Sequence, residues 1–372
     1  MPYTVMVLGG YGTFGSRISR ALSQEPNLRL IIAGRDINKA RQFAEQLCLE
    51  SGSTQIEGRG VNIFSAHLVD LLRDTQTDLV IHTCGPFQGQ DYQVARACIK
   101  AGAHYIDLAD SRTFVCGINR LDDNARAKNV LAVSGASSVP GLSSAIIDKH
   151  APRFKQLTAV EYGITPGNKM PRGLATVAAI LSYCGQPFQR WEKSKWKTVY
   201  GWQNLHLKKY PRLMGFRWMA NCDVPDLQLF PARYPTLKTV KFYAGLELGF
   251  LHLGTWFLSW LVRLGVMGNL VNYAKSLKRA SEWFIKMGSE VGGMHMILSG
   301  VEHNGKQSKI RWYLVAGSGH GPQIPCIPSI LVTKKLARGE LTVRGAQPCM
   351  GLFTLDEFLA ELTGLDIRVV MR

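Results

Sequence analysis

The stretch VMVLGGYGTFGSRISRAL, residues 5–22, constrains the fold of this chain more than any other. The continuous apolar run over residues 5–8 predicts a strand buried on both faces of a parallel sheet. Glycines follow in the spacing G-x-G-x-x-G, and apolar residues then recur at helical intervals. A strand, a glycine turn and a helix in this order are typical of the first crossover in a doubly wound α/β domain.

Each glycine of this loop has a mechanical role in holding a dinucleotide. Gly10 permits the tight turn, Gly12 lets a pyrophosphate approach the backbone, and Gly15 lets the helix pack on the strand. The helix N-terminus then directs its free N–H groups at the phosphates. A glycine-rich turn without a ligand is the alternative. We predict a cradle formed by Gly9, Gly10, Tyr11, Gly12, Thr13, Phe14 and Gly15.

The end of the second predicted strand, residues 28–33, indicates which dinucleotide is bound. Sites for NAD usually place an acidic residue there, on the ribose 2′-hydroxyl. Here the strand is followed by Gly34, Arg35 and Asp36, with Lys39 one helical turn further on. The guanidinium of Arg35 suits a 2′-phosphate, and Lys39 adds a second positive charge. One alternative is that Asp36 turns towards the ribose instead, and another is that Arg35 and Lys39 are solvated surface charges. We predict NADP(H).

Alternation of strands and helices continues to about residue 134 and predicts a Rossmann-type, doubly wound parallel sheet. The later sequence predicts a second, α+β domain with a mixed or antiparallel sheet, including a hairpin at Asn304-Gly305. We place the first domain at residues 1–140 and the second, for substrate or dimerisation, at 141–345. Residues 346–372 are predicted to be a C-terminal helix and strand, with packing against the first domain left open.

Composition narrows the class of protein. A length of 372 residues suggests two domains, and the net charge of +17 favours anionic partners. No nucleic-acid reader is recognisable, so we expect no nucleic-acid partner. Eight scattered cysteines and nine histidines show no metal-ligand spacing, so we expect no metal. With no secretory signal predicted, the thiols favour a cytoplasmic location.

Two further stretches make the resemblance to a known family specific. HTCGPFQGQDYQVARACIKAGAHYIDLADSRTFV (residues 82–115) and SGASSVPGLSSA (134–145) resemble the saccharopine dehydrogenase family in motif order and spacing. GAQPCMGLFTLDEF near the end is similar to the terminal segment of some members. The resemblance implies an NADP-dependent reductase with a Rossmann domain and a separate substrate domain.

The same resemblance implies where parts of the cofactor lie. Gly85, Pro86 and Phe87 are expected beside the nicotinamide half, and Asn62 near the adenine. Members of the family act in saccharopine formation, polyamine-precursor reduction and lipid-type reductions. The paired Arg and Lys residues that a dicarboxylate amino acid would need cannot be placed on this sequence.

The proton donor for hydride transfer is not readable from the sequence. Tyr92, Tyr105 and Asp107 fall near the predicted cofactor rim and are the candidates. For Tyr105 and Asp107 the alternative is ordinary sheet packing and a turn hydrogen bond.

Two segments of the predicted second domain are candidates for contact with a membrane surface or an apolar substrate. Residues 190–217 hold eight Lys or Arg against one acid, interleaved with three tryptophans. Residues 248–262 are almost wholly apolar, but a helix of that length spans only about 22 Å, too short to cross a bilayer. Three interpretations of 248–262 remain: a core or dimer helix, the wall of a site for an apolar substrate, or a peripheral membrane segment.

Two functions therefore compete. The first is an NADP(H)-dependent oxidoreductase that transfers hydride to an imine, carbonyl or activated alkene of an unassigned small-molecule substrate, with an apolar, lipid-like substrate left open. The second is a non-catalytic NADP(H)-binding protein, redox-responsive or acting at a membrane surface. A homodimer is left open in both.

Overall fold

The computed structural model describes residues 2–52, 55–171, 173–211 and 213–372 and divides into two compact units. Unit 1 comprises Met1–Ala145 and Gln323–Glu361. Unit 2 comprises Ile146–Pro322 and Leu362–Arg372. In the described ranges all eight cysteines are free thiols.

Unit 1 is built on a seven-stranded parallel sheet, which confirms the predicted Rossmann-type fold. Its order is β15-β6-β5-β4-β1-β2-β3, with every neighbouring pair parallel. The central strand β1 carries the predicted apolar run, and its Val5, Met6 and Val7 are fully buried. The strands are β1 (Tyr3–Leu8), β2 (Leu28–Gly34), β3 (Ile56–Gly60), β4 (Leu79–His82), β5 (His104–Asp107), β6 (Leu131–Ser134) and β15 (Gly345–Pro348).

Helices connect these strands, as parallel crossovers require. Helix α4 ends at Gly102, whose φ of +86° supplies the left-handed residue of a C-terminal cap. The helices within or reaching into unit 1 are α1 (Gly15–Leu22), α2 (Ile37–Ser51), α3 (Leu68–Asp74), α4 (Gln93–Ala101), α5 (Arg112–Cys116), α6 (Asp122–Ala127), α7 (Ser143–His150, which crosses into unit 2), α12 (Ile327–Ala337) and α13 (Leu355–Ala360).

The C-terminal part of the chain is divided differently from the predicted boundaries. Residues 323–345, predicted in the second domain, belong to unit 1, where α12 packs on α1 and its Lys334 pairs with Glu25 at 3.0 Å. Strand β15 then extends the parallel sheet beside β6. The final strand, β16 (Ile367–Met371), instead pairs antiparallel with β14 (Gln307–Ala316) in unit 2. Both placements depend on pairing with strands that are distant in the sequence, β6 for β15 and β14 for β16.

Unit 2 contains a nine-stranded mixed sheet, which confirms the predicted α+β class. Seven of its strands lie in the order β10-β11-β12-β7-β13-β14-β16. Among these neighbours, only β12 and β7 are parallel. Strands β8 and β9 form a hairpin that pairs with β12 through β8. The strands not yet given are β7 (Phe154–Thr165), β8 (Pro187–Glu192), β9 (Lys195–Tyr200), β10 (His206–Lys209), β11 (Phe216–Asn221), β12 (Thr239–Leu246) and β13 (Gly292–Glu302).

The remaining helices of unit 2 are α8 (Leu174–Ser182), α9 (Asp226–Arg233), α10 (Gly249–Arg263) and α11 (Ala274–Glu282). The hairpin predicted at Asn304-Gly305 joins β13 and β14, and Gly305 adopts a φ of +81° in its turn. A short 3-10 turn at Leu270–Tyr273 leads into α11, and residues 283–288 follow as a turn.

The basic stretch over residues 190–217 is largely folded into this sheet. Trp202 is buried, and Trp191 donates its ring N–H to the carbonyl of Leu237 at 2.9 Å, so of the three tryptophans only Trp196 is exposed. Lys208 pairs with Glu161 at 3.1 Å, while Arg212 lies outside the described residues. The stretch is therefore not a continuous aromatic and cationic surface.

A buried ion pair organises one side of unit 2. Arg217 and Glu247 are both about nine-tenths buried and lie 3.2 Å apart. Glu247 also accepts hydrogen bonds from the backbone N–H groups of Asn168 and Ser289, at 2.6 and 2.9 Å, and from the Ser289 hydroxyl at 2.6 Å. One carboxylate thus joins β11, the start of α10 and two loops.

We expect Glu247→Ala to destabilise unit 2 by about 3–5 kcal/mol, because it leaves a buried guanidinium without its counter-charge. All eight tryptophans of the chain lie in unit 2, so tryptophan fluorescence during urea unfolding reports on that unit. The matched control is Glu302→Ala, which removes the exposed pair with Arg153 and should leave the transition unchanged. Equal, small effects of both substitutions would contradict the structural role of Glu247.

Candidate functional site

The candidate site of unit 1 lies at the carboxyl edge of the sheet, where the strand order reverses. Strand β1 has β2 on one side and β4 on the other, so the loops that follow β1 and β4 diverge. In open α/β sheets a ligand crevice forms at this point.

The glycine loop after β1 is held against β2. The backbone N–H groups of Gly9 and Gly10 both donate to the carbonyl of Ala33, at 2.8 and 3.1 Å, and Gly9 has a φ of +77°. A Cβ atom on Gly15 would lie 2.1 Å from the Gly9 carbonyl oxygen. Glycine at position 15 is therefore required for α1 to begin directly against the turn.

The start of α1 presents unpaired donors. In the part of the chain that the structure describes, the backbone N–H groups of Thr13, Phe14 and Gly15 donate to no protein acceptor. Gly12 is exposed, and a Cβ there would meet only the Gly9 carbonyl, at 3.1 Å. Free donors at a helix N-terminus behind an open glycine suit an anion such as a pyrophosphate.

One acid and two cations lie at the end of β2, in different environments. The Asp36 carboxylate caps α2, accepting from the N–H groups of Asn38 and Lys39 at 3.0 and 3.2 Å. The Tyr11 ring packs where Gly34 has no side chain, and its hydroxyl accepts from Asp36 N at 3.1 Å. Arg35 and Lys39 are both exposed, with Lys39 3.7 Å from Asp36. The acid is engaged in the cap, and the cations remain available to a phosphate.

Asn62 lies just past β3, on the same edge of the sheet. Its residue is exposed, and its Oδ1 accepts from the backbone N–H of Phe64 at 3.1 Å in a local turn. The neighbouring Val61 N–H donates to the Gly34 carbonyl, which ties this turn to the end of β2.

The loop after β4 is fixed by one amide. Gln90 Nε2 donates to the carbonyls of Cys84 and Pro86, at 2.9 and 2.6 Å. Pro86 is exposed, whereas the Phe87 ring is buried, 5.1 Å from the ring of His82. Gly85 and Pro86 therefore present backbone at the edge, while Phe87 anchors the loop from below.

His82 beneath this loop was not singled out from the sequence. It is fully buried, and burial lowers the pKa of its imidazole to about 4, so the ring is neutral at physiological pH. Its Nδ1 accepts from the Cys84 N–H at 3.3 Å. A lone histidine inside an apolar strand carries no sequence signal that distinguishes this supporting role.

The three catalytic candidates from the sequence are all buried. The Tyr92 hydroxyl donates to the Phe114 carbonyl at 2.5 Å, and burial raises the pKa of Tyr92 to about 12. Tyr105 is 1% exposed, and burial together with Asp107 raises the pKa of its hydroxyl well above the ordinary value. Neither hydroxyl is presented at the edge of the sheet.

Asp107 organises two loops. Its Oδ1 accepts from the N–H groups of Ala109 and Gly135, both at 2.9 Å, and from the Ser134 hydroxyl at 3.0 Å. The carboxyl is completely buried, and burial raises its pKa to about 6. These contacts match the turn hydrogen bonds that were the alternative to a catalytic role.

Asp110 is an acid on the same rim that does reach the surface. It lies three residues beyond β5, and its Oδ1 accepts from Gln88 Nε2 at 3.1 Å, which places it beside the loop of Gly85 and Pro86. The residue is exposed, yet protein atoms around its carboxyl group raise the pKa of that group.

In the described ranges, no group of three or more His, Cys, Asp or Glu side chains is arranged to hold a metal ion. None of the described helices combines the length and the apolar character needed to cross a membrane.

Comparisons with known proteins find similarity in the sequence of the first domain and in the fold. Residues 5–133 match the model of the saccharopine dehydrogenase NADP binding domain. The fold is similar to that of the apo, histidine-tagged saccharopine dehydrogenase (L-Glu forming) from Saccharomyces cerevisiae, with a TM-score of 0.70 and 14% identity over 100% of both chains. Biliverdin reductase from Synechocystis sp. PCC 6803, in complex with biliverdin and NADP+, aligns over 97% of this chain and 96% of its own, with 13% identity and a TM-score of 0.41. No curated protein sequence matches the chain.

We expect Gly12→Val to abolish NADPH binding while the protein stays folded. The Cβ of the new side chain would meet only the Gly9 carbonyl oxygen, at 3.1 Å, whereas a pyrophosphate needs to approach the backbone at Gly12. Gly15→Val is the matched comparison, because its clash with the Gly9 carbonyl should lower the thermal unfolding temperature as well. NADPH fluorescence titration and thermal unfolding measure the two effects. Wild-type affinity in Gly12→Val would show that the phosphates lie elsewhere.

Proposed function

We propose that this chain is an oxidoreductase, because residues 5–133 match the saccharopine dehydrogenase NADP binding domain and the fold is similar to that of a saccharopine dehydrogenase. It would transfer hydride between NADP(H) and the carbon of an imine, a carbonyl or an activated alkene in a small molecule. The single observation that carries the proposal is the carboxyl edge of the unit 1 sheet, which holds the free N–H donors at the start of α1, the exposed cations after β2 and the exposed Asp110 after β5.

The first step of the proposal is cofactor binding by groups of this chain. The N–H donors of Thr13, Phe14 and Gly15 would bind the pyrophosphate, with Gly12 leaving room for it. Arg35 and Lys39 would bind the 2′-phosphate, because the carboxylate that could compete for the ribose is engaged in capping α2. Asn62, near the end of β3, would lie on the adenine side.

The second step is orientation at the reacting end. Gly85 and Pro86 would provide a backbone surface for the nicotinamide half, held in place by Gln90 and by the buried Phe87. When bound, the reduced nicotinamide supplies the hydride. The chain's own contribution is to hold the ring rigidly at this edge, since orientation lowers the barrier to transfer.

The third step is protonation. We propose Asp110 as the proton donor, in place of the buried Tyr92, Tyr105 and Asp107. As hydride reaches the acceptor carbon, the electron pair of the reduced bond takes the proton from the Asp110 carboxyl. Water returns a proton to the carboxylate afterwards. A raised pKa suits this role because it keeps the carboxyl protonated at higher pH.

Eight free thiols fit a reducing compartment, so we propose a cytoplasmic protein.

Oxidation of NADPH with a panel of imines, carbonyls and activated alkenes tests the activity. Turnover of at least one class is expected. Tight NADPH binding without turnover of any class would favour the non-catalytic alternative.

We expect wild-type protein to bind NADPH more tightly than NADH. Arg35→Ala should weaken NADPH binding by about tenfold to a hundredfold, because losing a hydrogen bond to a charged group typically costs that much affinity. Its NADH affinity should not change. Arg20→Ala, which removes an exposed cation paired with Glu50 on the helices of the same unit, is the control and should leave both affinities unchanged. Equal affinities of the wild type for the two cofactors would defeat the assignment.

We expect Asp110→Asn to lower kcat strongly while NADPH affinity is retained. In the wild type, kcat should fall as the pH rises through the pKa of Asp110, because the acid loses its proton. That limb of the pH profile should be absent in Asp110→Asn. A pH profile identical in both proteins would assign the proton donor to another group or to water.

A further inference from the structure

We propose that unit 2 docks on anionic membranes through an apolar surface centred on α10. This proposal goes beyond the oxidoreductase function. The α10 surface is formed by large side chains that are each at least 38% exposed: Phe250, Leu253, Phe257, Leu264, Val266, Trp283, Ile285 and Met287.

Helix α10 has a buried inner face and an exposed outer face. Val262 is buried on the inner face together with the polar residues His252 and Ser259. Phe250, Leu253, Phe257 and Leu264 recur at offsets of three, seven and fourteen residues, which places them on one stripe. A helix at the surface of a globular domain usually turns charged or polar residues to that side. Here the outer stripe is apolar.

The turn after α11 extends this stripe. The Phe250 ring lies 4.9 Å from the ring of Phe284, so the start of α10 and the 283–287 turn form one surface. Trp283 is 82% exposed at its edge. An indole in that position suits the headgroup region of a bilayer, where an apolar ring with a polar N–H is favoured.

The turn is held in a defined conformation. Asn168 Nδ2 donates to the carbonyls of Phe284 and Met287, at 2.7 and 2.8 Å. The buried carboxylate of Glu247 accepts from Ser289. The backbone of the turn is thus bonded to the body of unit 2 while its apolar side chains point away from it.

The charge around the surface favours an anionic membrane over a second copy of this chain. Residues 248–289 contain five Lys or Arg and one acid, and Lys275, Arg279 and Lys286 are exposed. The whole chain carries +17. Two copies joined through this surface would bring like charges together, whereas anionic headgroups would neutralise them. Because α10 is too short to span a bilayer, it would lie in the interface.

Sedimentation with phosphatidylcholine vesicles, with and without phosphatidylserine, tests the proposal. The full-length protein should sediment with the anionic vesicles only, and less as salt is added. Phe257→Asp and Trp283→Asp should each weaken binding at least about tenfold, since a carboxylate would enter the apolar interface. Leu49→Asp, at a leucine that is 88% exposed in unit 1, is the matched control and should bind as the wild type does.

A second pair of variants separates a local surface from the general positive field. Lys275→Gln/Arg279→Gln/Lys286→Gln should weaken vesicle binding, whereas Lys193→Gln/Lys195→Gln/Lys197→Gln, with the same loss of charge, should not. Trp283→Phe should bind but lose part of the blue shift in tryptophan emission on vesicle addition.

Three results would overturn the proposal: no sedimentation with anionic vesicles, equal loss in both triple variants, or a dimer that Phe257→Asp dissociates without changing vesicle binding. NADPH affinity should be unchanged in every variant, so failure of docking and failure of the oxidoreductase proposal are distinguishable.

Discussion

The close approach of α1 to the glycine turn is the constraint on which the candidate site depends. With only hydrogen on Gly15, the helix begins where any Cβ would collide with the Gly9 carbonyl. The first N–H groups of α1 are therefore left at the open edge of the sheet, directly behind Gly12. The position of the helix also aligns its dipole with that opening, so the same contact supplies both the donors and the favourable potential for an anion.

Three carboxylates, each in a different environment, hold neighbouring segments of the chain in place by accepting hydrogen bonds. Asp36 caps α2 and so leaves Arg35 and Lys39 as the available charges at the end of β2. Asp107 gathers the loops after β5 and β6 from inside the protein. Glu247 ties α10 to its surroundings in unit 2. A buried carboxylate is stable only when donors surround it, which is why Asp107 and Glu247 lie where several backbone segments meet.

The two units use positive charge in different ways. In unit 1, exposed cations stand at the end of β2, where a phosphate would neutralise them. In unit 2, several cations of the 190–217 stretch form ion pairs within the unit, such as Lys208 with Glu161. The cations that stay exposed around α10 accompany large apolar side chains. This combination separates the α10 surface from an ordinary solvated basic face.

The sequence by itself determined the features that depend on neighbouring residues. These include the strand, glycine turn and helix at residues 5–22, the cations after β2 and the hairpin at Asn304-Gly305. Such patterns are local because turn geometry and hydrophobic period involve only a few consecutive positions. The tertiary structure alone decided that β15 joins the first sheet and β16 the second, that Tyr105 and Asp107 are buried, and that the apolar outer face of α10 stays exposed. Strand partners and solvent exposure depend on residues distant in the chain, and an apolar helix has the same sequence pattern whether its second face is covered or open.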